Sequence, residues 1–139
     1  MAARSQLIID GYNVIHADPA LKAVFRASRE DARREFERLV LNYSAVEGLE
    51  VEIVYDGTSR SSRPVVSGTL TVTFTGQGRS ADAYIEKRAC SVTGDDTGRL
   101  TVVTADYRLQ MIVIGAGHLR KTPGEFFDDI EEARGPEEF

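Results

Sequence analysis

Residues 6–11 read Gln6-Leu7-Ile8-Ile9-Asp10-Gly11, an apolar run that ends in an acid and a glycine. A short unbroken apolar stretch bounded by a turn signal is the pattern of a strand buried on both faces. The pattern returns at Val51–Tyr55, followed by Asp56-Gly57, and at Leu100–Thr104, followed by Ala105-Asp106. Between the first two lies a helical stretch in which Ala32, Phe36, Leu39, Val40, Tyr43 and Val46 recur at three- and four-residue spacing. Ser28 with Asp31 resembles a capping box before it, and Gly48 supplies the stop. Strands separated by helices imply right-handed crossovers and a mainly parallel sheet covered on both faces. The expected fold is therefore α/β, with one domain over residues 1–139, a length that suits a single core.

Working outward, Leu70–Phe74 alternates apolar and polar residues and reads as a third strand nearer the sheet edge. Ser80 is placed to cap a helix that turns Ala81, Ile85, Ala89 and Val92 inward. A short helix after Asp106 and a fifth strand over Met111–Ile114, closed by Gly115-Ala116-Gly117, complete the alternation. Thr122-Pro123-Gly124-Glu125 combines a capping box with proline at the first helical position, and the last helix buries Phe126, Phe127 and Ile130. Gly57–Gly68, with Arg60 and Arg63, reads as a mobile loop, and Gly94–Gly98 as a turn. On the long helix Glu30 with Arg34 and Arg33 with Glu37 read as a solvated face.

No apolar run approaches a membrane span, and the first ten residues are too quickly charged for a signal peptide. Cys90 is the only cysteine, which excludes an internal disulfide; beside Ala89 and Val92 it reads as core. These features predict a cytoplasmic protein with no membrane partner. The net charge of −5 argues at first against nucleic acid. Residues 125–139, however, hold seven of the 22 acids and one of the 17 bases, leaving 15 acids and 16 bases over residues 1–124. The acidity is local, and a solvated face accounts for it.

Asp10, Asp56 and Asp106 each follow the C-terminal end of an expected strand, the edge where open α/β sheets bind ligands. With the strands in the order 3-2-1-4-5, the three ends are neighbours about 4.8 Å apart and their carboxylates can converge. Asp82 lies in the first turn of its helix, and Glu86 one turn later on the same face. Carboxylates gathered in one place repel each other, and a divalent cation removes that penalty. All-oxygen donors favour Mg²⁺ or Mn²⁺ over zinc. Such a site suits phosphodiester hydrolysis. Any one of these aspartates is more ordinarily a helix cap or turn former; it is their matching positions that point to a site.

The segment Ile9-Asp10-Gly11-Tyr12-Asn13-Val14-Ile15 resembles the opening motif of NYN-domain ribonucleases, relatives of the PIN-domain nucleases, and within them the YacP-like family. Val54-Tyr55-Asp56-Gly57, Phe74 through Ser80-Ala81-Asp82-Ala83-Tyr84-Ile85-Glu86, and Val103-Thr104-Ala105-Asp106 follow in the family's order. The resemblance implies a PIN-like three-layer sandwich in the 3-2-1-4-5 order and an endoribonuclease dependent on Mg²⁺ or Mn²⁺. By position, Asp10, Asp82 and Asp106 would be the metal-binding acids and Asp56 a weaker or outer ligand. Asn13 would orient a ligand or water. It also implies messenger RNA as substrate and the ribosome as a candidate partner. The acidic last helix and the serine-rich loop depart from relatives that are often richer in lysine.

Glu86 and Thr104 are candidates to support the acids from behind, Thr104 either by bonding to them or by capping the helix at Ala105. Arg60, Arg63, Arg79, Lys87, Arg88 and Arg108 are candidates for RNA phosphates. Tyr12 reads as packing, and His16 and His118 as surface or internally satisfied histidines. A non-catalytic RNA- or ribosome-binding module with the same fold is the alternative function. A receiver domain would need paired acids near the first strand, and an aspartyl phosphatase a second acid where Tyr12 stands. Neither pattern is met.

Overall fold

In the computed structural model, which describes residues 6–58, 65–92 and 98–135, β1 (Gln6–Asp10) runs through the middle of a six-stranded sheet. It pairs in parallel with β2 (Glu50–Tyr55) on one side and β5 (Leu100–Val103) on the other. Beyond β2 lies β4 (Leu70–Phe74), parallel, and beyond β5 lies β6 (Leu119–Lys121), also parallel. A three-residue strand, β3 (Val65–Ser67), pairs antiparallel with β4 at the edge. The order β3-β4-β2-β1-β5-β6 thus contains the expected 3-2-1-4-5 arrangement with one added edge strand.

Two of the strand assignments change. Val65–Ser67 falls in the stretch read as loop, and Met111–Ile114 is not a strand. The segment belongs to α5 (Tyr107–Gly115), which begins as soon as β5 ends because the Asp106 side chain caps its first amides. The fifth parallel strand is Leu119–Lys121, short and polar, as an edge position tolerates. A four-residue apolar run does not by itself distinguish strand from helix.

Helices cover both faces. On one side lie α1 (Gly11–Ala17), α2 (Pro19–Ala27), α3 (Arg29–Glu47) and α6 (Pro123–Arg134), packed on Leu7, Ile9, Ile53, Tyr55 and Val72. On the other lie α4 (Ala81–Ser91) and α5, packed on Ile8, Val54, Leu100 and Val102. Side chains of one strand alternate between faces, so Ile8 and Ile9 belong to different cores. The caps follow the sequence: Ser28 accepts the Asp31 amide, Ser80 the Ala83 amide, and Thr122 and Glu125 form the capping box. Asp18 caps α2 with Pro19 at its start, a signal the sequence reading passed over.

The core differs from expectation at four places. Val46 is exposed, and so is Cys90, one position past the buried Ala89. Phe127 is only partly buried. Arg33 and Glu37 are not a solvated pair: Arg33 donates to the Tyr12 hydroxyl (3.0 Å) and Glu37 accepts from the buried Tyr55 hydroxyl (2.8 Å). His118 is buried and satisfied, with Nδ1 accepting the Leu100 amide and Nε2 against the carbonyls of Ala89 and Val92. Arg60, Arg63 and the Gly94–Gly98 turn, apart from Gly98 itself, lie outside the described residues.

Candidate functional site

The parallel registers fix where the strand ends meet. Asp10 is level with Val54, and Ile9 with Val103, so Thr104 follows level with Asp10 and Asp56 lies two residues past it. Asp10 is the last residue of a central strand and is 7% exposed, deep for an acid. Its neighbour Gly11 makes that depth possible. A Cβ there would stand 2.4 Å from the Tyr55 ring and 3.0 Å from the Val54 carbonyl, so only glycine lets α1 start against β2.

Thr104, fully buried, organises the centre. Its hydroxyl donates to Asp10 Oδ2 (3.2 Å) and accepts the Asp106 amide (3.1 Å). Gln110, buried on α5, donates to the Thr104 carbonyl (2.7 Å), and Asn13 accepts the Ala105 amide (2.7 Å). Asn13 and Gln110 therefore brace the β5–α5 corner from two sides. Gln110 was missed because its segment was read as leading into a strand; a glutamine in phase with Leu109 and Val113 on a buried helix face is the signal. Thr104 bonds to the acid, as one of its two readings had it, while the cap of α5 is Asp106, which accepts the amides of Arg108 and Leu109.

Asp56 accepts the Ala81 amide (2.8 Å) and so ties the end of β2 to the start of α4. Asp82, in the first turn of that helix, accepts from Arg108 through Oδ2 (2.8 Å), while its Oδ1 is buried without a donor. Glu86 meets the same guanidinium at 3.3 Å. Asp10 is pushed up to about 7, chiefly by burial; its bond from Thr104 opposes the shift, and the carboxylates of Asp56, Asp82 and Asp106 add to it. Residues from 10 to 106 in the chain thus act electrostatically on one group.

The donors around this edge are all carboxylate, amide or hydroxyl oxygens, the set that hard divalent cations take. A buried, undonated oxygen on Asp82 and a raised Asp10 are both relieved by a cation, so the residues fit one. The acids are not drawn into a ready-made cage: among the described residues no three His, Cys, Asp or Glu side chains form a ligating cluster. A cation, Arg108, already lies against two of them.

Of the proposed phosphate contacts, Arg79 and Lys87 line an open groove along α4, together with Tyr84. Arg88 lines it too but is ion-paired to Glu52 (3.0 Å), which also accepts from Thr73 and Tyr84. Tyr12 packs between Phe25 and Tyr55, and His16 lies edge-on to Phe25. No helix of the described residues is long and apolar enough to cross a membrane.

The chain is similar in sequence and fold to known proteins. The YacP protein of Bacillus subtilis (strain 168) is 32% identical over 127 residues, which span 90% of this chain and 74% of the relative. The crystal structure of Rae1 (YacP) from Bacillus subtilis matches with a TM-score of 0.78 at 30% identity, covering 94% of this chain and 75% of that one. A tryptophan-to-leucine variant of Rae1 matches with the same TM-score at 32% identity, over 94% of this chain and 77% of its own. The model of the YacP-like NYN domain matches residues 7–138, and with that extent of agreement in sequence and fold the chain belongs to the YacP-like NYN-domain family.

Proposed function

We propose that the chain is an endoribonuclease that depends on Mg²⁺ or Mn²⁺ and hydrolyses RNA at the edge formed by Asp10, Asp82 and Asp106. Family membership supports a nuclease-like, RNA-related function. The observation that carries the finer reading is the raised Asp10, buried at 7% exposure and repelled by three other acids. A structure tolerates such a group when the charge is compensated in the working state. The bound ion would activate water and stabilise the leaving oxygen. Asp10, Asp82 and Asp106 would hold it, with Asp56 an outer partner as the family resemblance implies. Asn13 keeps the corner at Ala105 in place, and Thr104 holds Asp10 in orientation.

Arg108 has two tasks in this reading. Without metal it neutralises Asp82 and Glu86; with metal it is released to a phosphate of the RNA, while Arg79 and Lys87 line a groove on the other side of α4. Messenger RNA as the substrate and the ribosome as a docking partner come from the family resemblance alone. The acidic α6 leaves the α4–α5 side as the approach for RNA.

The test is cleavage of labelled RNA by the purified chain with Mg²⁺, Mn²⁺ or chelator. We expect metal-dependent cleavage that falls by at least about 100-fold in Asp82→Asn, beyond the loss usual for an outer-shell partner. Cleavage that persists in chelator refutes the reading, and RNA binding without cleavage favours the non-catalytic module. Arg108→Ala separates its two tasks. Mn²⁺ should bind about 2- to 5-fold tighter by calorimetry, exposed ion pairs being weak, while the KM for RNA rises. Unchanged Mn²⁺ affinity would remove Arg108 from the metal-free balance.

A further inference from the structure

The outward side of α5 carries apolar residues that the fold leaves uncovered. Tyr107 is 71% exposed, and Met111 and Ile114, four and seven residues on, are 40% and 45% exposed. That spacing places them in one stripe along the helix. Isolated exposed apolar residues are ordinary. The position of this stripe is not, because it begins at the acid edge. Tyr107 stands between Asp106, whose carboxylate caps the helix, and Arg108, whose guanidinium lies 2.8 Å from Asp82. Consecutive Cα atoms are about 3.8 Å apart, so the ring is held near Asp106, one of the edge acids. The Tyr107 side chain makes no hydrogen bond or ring contact among the described residues, in contrast to Tyr12, Tyr43, Tyr55 and Tyr84.

We infer that Tyr107, continued by Met111, is a stacking subsite for an unpaired nucleobase beside the scissile phosphate. The inference rests on the endoribonuclease reading and adds to it the residue that receives the base. An aromatic face with an arginine alongside is the pairing by which proteins hold single strands: the ring takes the base and the cation takes the adjoining phosphate. In an A-form duplex the base faces are already stacked inside and the helix is read by shape, so a flat platform gains nothing from it. Charge complementarity favours RNA over an apolar protein partner at this end of the stripe, since Arg108 lies on one side and Arg79 and Lys87 on the far side of α4. The platform and Arg108 lie on α5 and the basic groove runs along α4, which suits a strand laid across both helices.

The experiment uses the full chain with an RNA oligonucleotide that carries one 2-aminopurine at an unpaired position, and the same sequence as a duplex. Fluorescence and affinity are read in Mn²⁺ at low salt before cleavage sets in, and kcat and KM under multiple turnover in the same buffer. We expect quenching of the probe by the wild type, a roughly 10-fold or greater loss of affinity and a matching rise in KM in Tyr107→Ala, and retention of both in Tyr107→Phe. Equal behaviour of Tyr107→Ala and wild type overturns the subsite even if RNA is cleaved. So does equal affinity for the duplex. A concentration-dependent dimer in light scattering that Tyr107→Ala dissolves overturns it as well, assigning the stripe to a second copy. Tyr107-dependent quenching without any cleavage keeps the subsite and refutes the endoribonuclease. A wild type that neither binds nor cuts overturns both.

Discussion

Asp10→Asn is expected to stabilise the metal-free protein and silence it at the same time. The carboxyl is pushed from the ordinary 3.8 to about 7, so at pH 8 the folded chain holds a buried charge that the unfolded chain does not have to bury. About three pKa units correspond to roughly 4 kcal/mol at most, and relaxation of the acids in the metal-free state lowers that to a few kcal/mol. The sign follows from proton binding. Between about pH 4 and 7 the folded state holds a proton on Asp10 that the unfolded state has lost, so stability falls as pH rises through that window. Below it both states are protonated and the penalty is absent. Melting with chelator should therefore give a lower Tm for the wild type at pH 8 than at pH 5.5, with the difference reduced in Asp10→Asn. The asparagine keeps the shape and an oxygen that accepts from Thr104. Added Mn²⁺ should raise the wild-type Tm at pH 8 through binding linkage and leave the variant unmoved. A variant no more stable than wild type at pH 8, and equally responsive to Mn²⁺, would remove Asp10 from the metal site.

Gly11→Ala should meet the tightest contact of any glycine-to-alanine change compared among the described residues. The added Cβ would stand 2.4 Å and 2.5 Å from two carbons of the Tyr55 ring. That ring has no room to yield: it is fully buried, lies 4.8 Å from Tyr12 and 5.2 Å from Phe74, and its hydroxyl is held by Glu37. The Val54 carbonyl at 3.0 Å, part of the sheet, blocks the other direction. Overpacking usually costs about 1–3 kcal/mol, and a rigid neighbour on two sides places this case at the upper end or beyond. In a domain of this size, Tm should drop by about 10 °C. The start of α1 must shift, and with it Asn13 and the carboxyl of Asp10. Cleavage should therefore fall more than the melting curve alone explains when measured well below Tm. An alanine variant with unchanged Tm would show that α1 does not seat on Tyr55 as described.

Much of this molecule was legible in one dimension. The apolar runs at 6–10, 51–55 and 100–103 bury both faces, and the turn signals that bound them mark them as strands. Side-chain oxygens at Ser28, Ser80 and Thr122 answer local amides, so helix starts are readable from four residues. The acids at positions 10, 56 and 106 stand at or shortly after strand ends, and that placement is what makes them visible. Asp56 and Asp106 turn out to serve as caps as well as candidate ligands, the two readings being compatible.

What the chain alone left open depends on neighbours that no local window contains. Met111–Ile114 carries strand-like residues, yet the cap at Asp106 starts a helix, and packing of Leu109 and Val113 on the sheet decides the outcome. The polar triplet Leu119–Lys121 is a strand only because β5 offers it an open edge. Arg33 and Glu37 look like surface charges until α3 lays them over Tyr12 and Tyr55. The mutual repulsion on Asp10, the undonated oxygen of Asp82 and the arginine seated between the acids exist only once residues 10, 82 and 108 share one edge. Sequence determined which oxygens were available and on which elements they stood, because strand and cap chemistry is local. Tertiary structure decided how deeply each is buried and which charge faces it, because desolvation and Coulomb energy depend on distance through space.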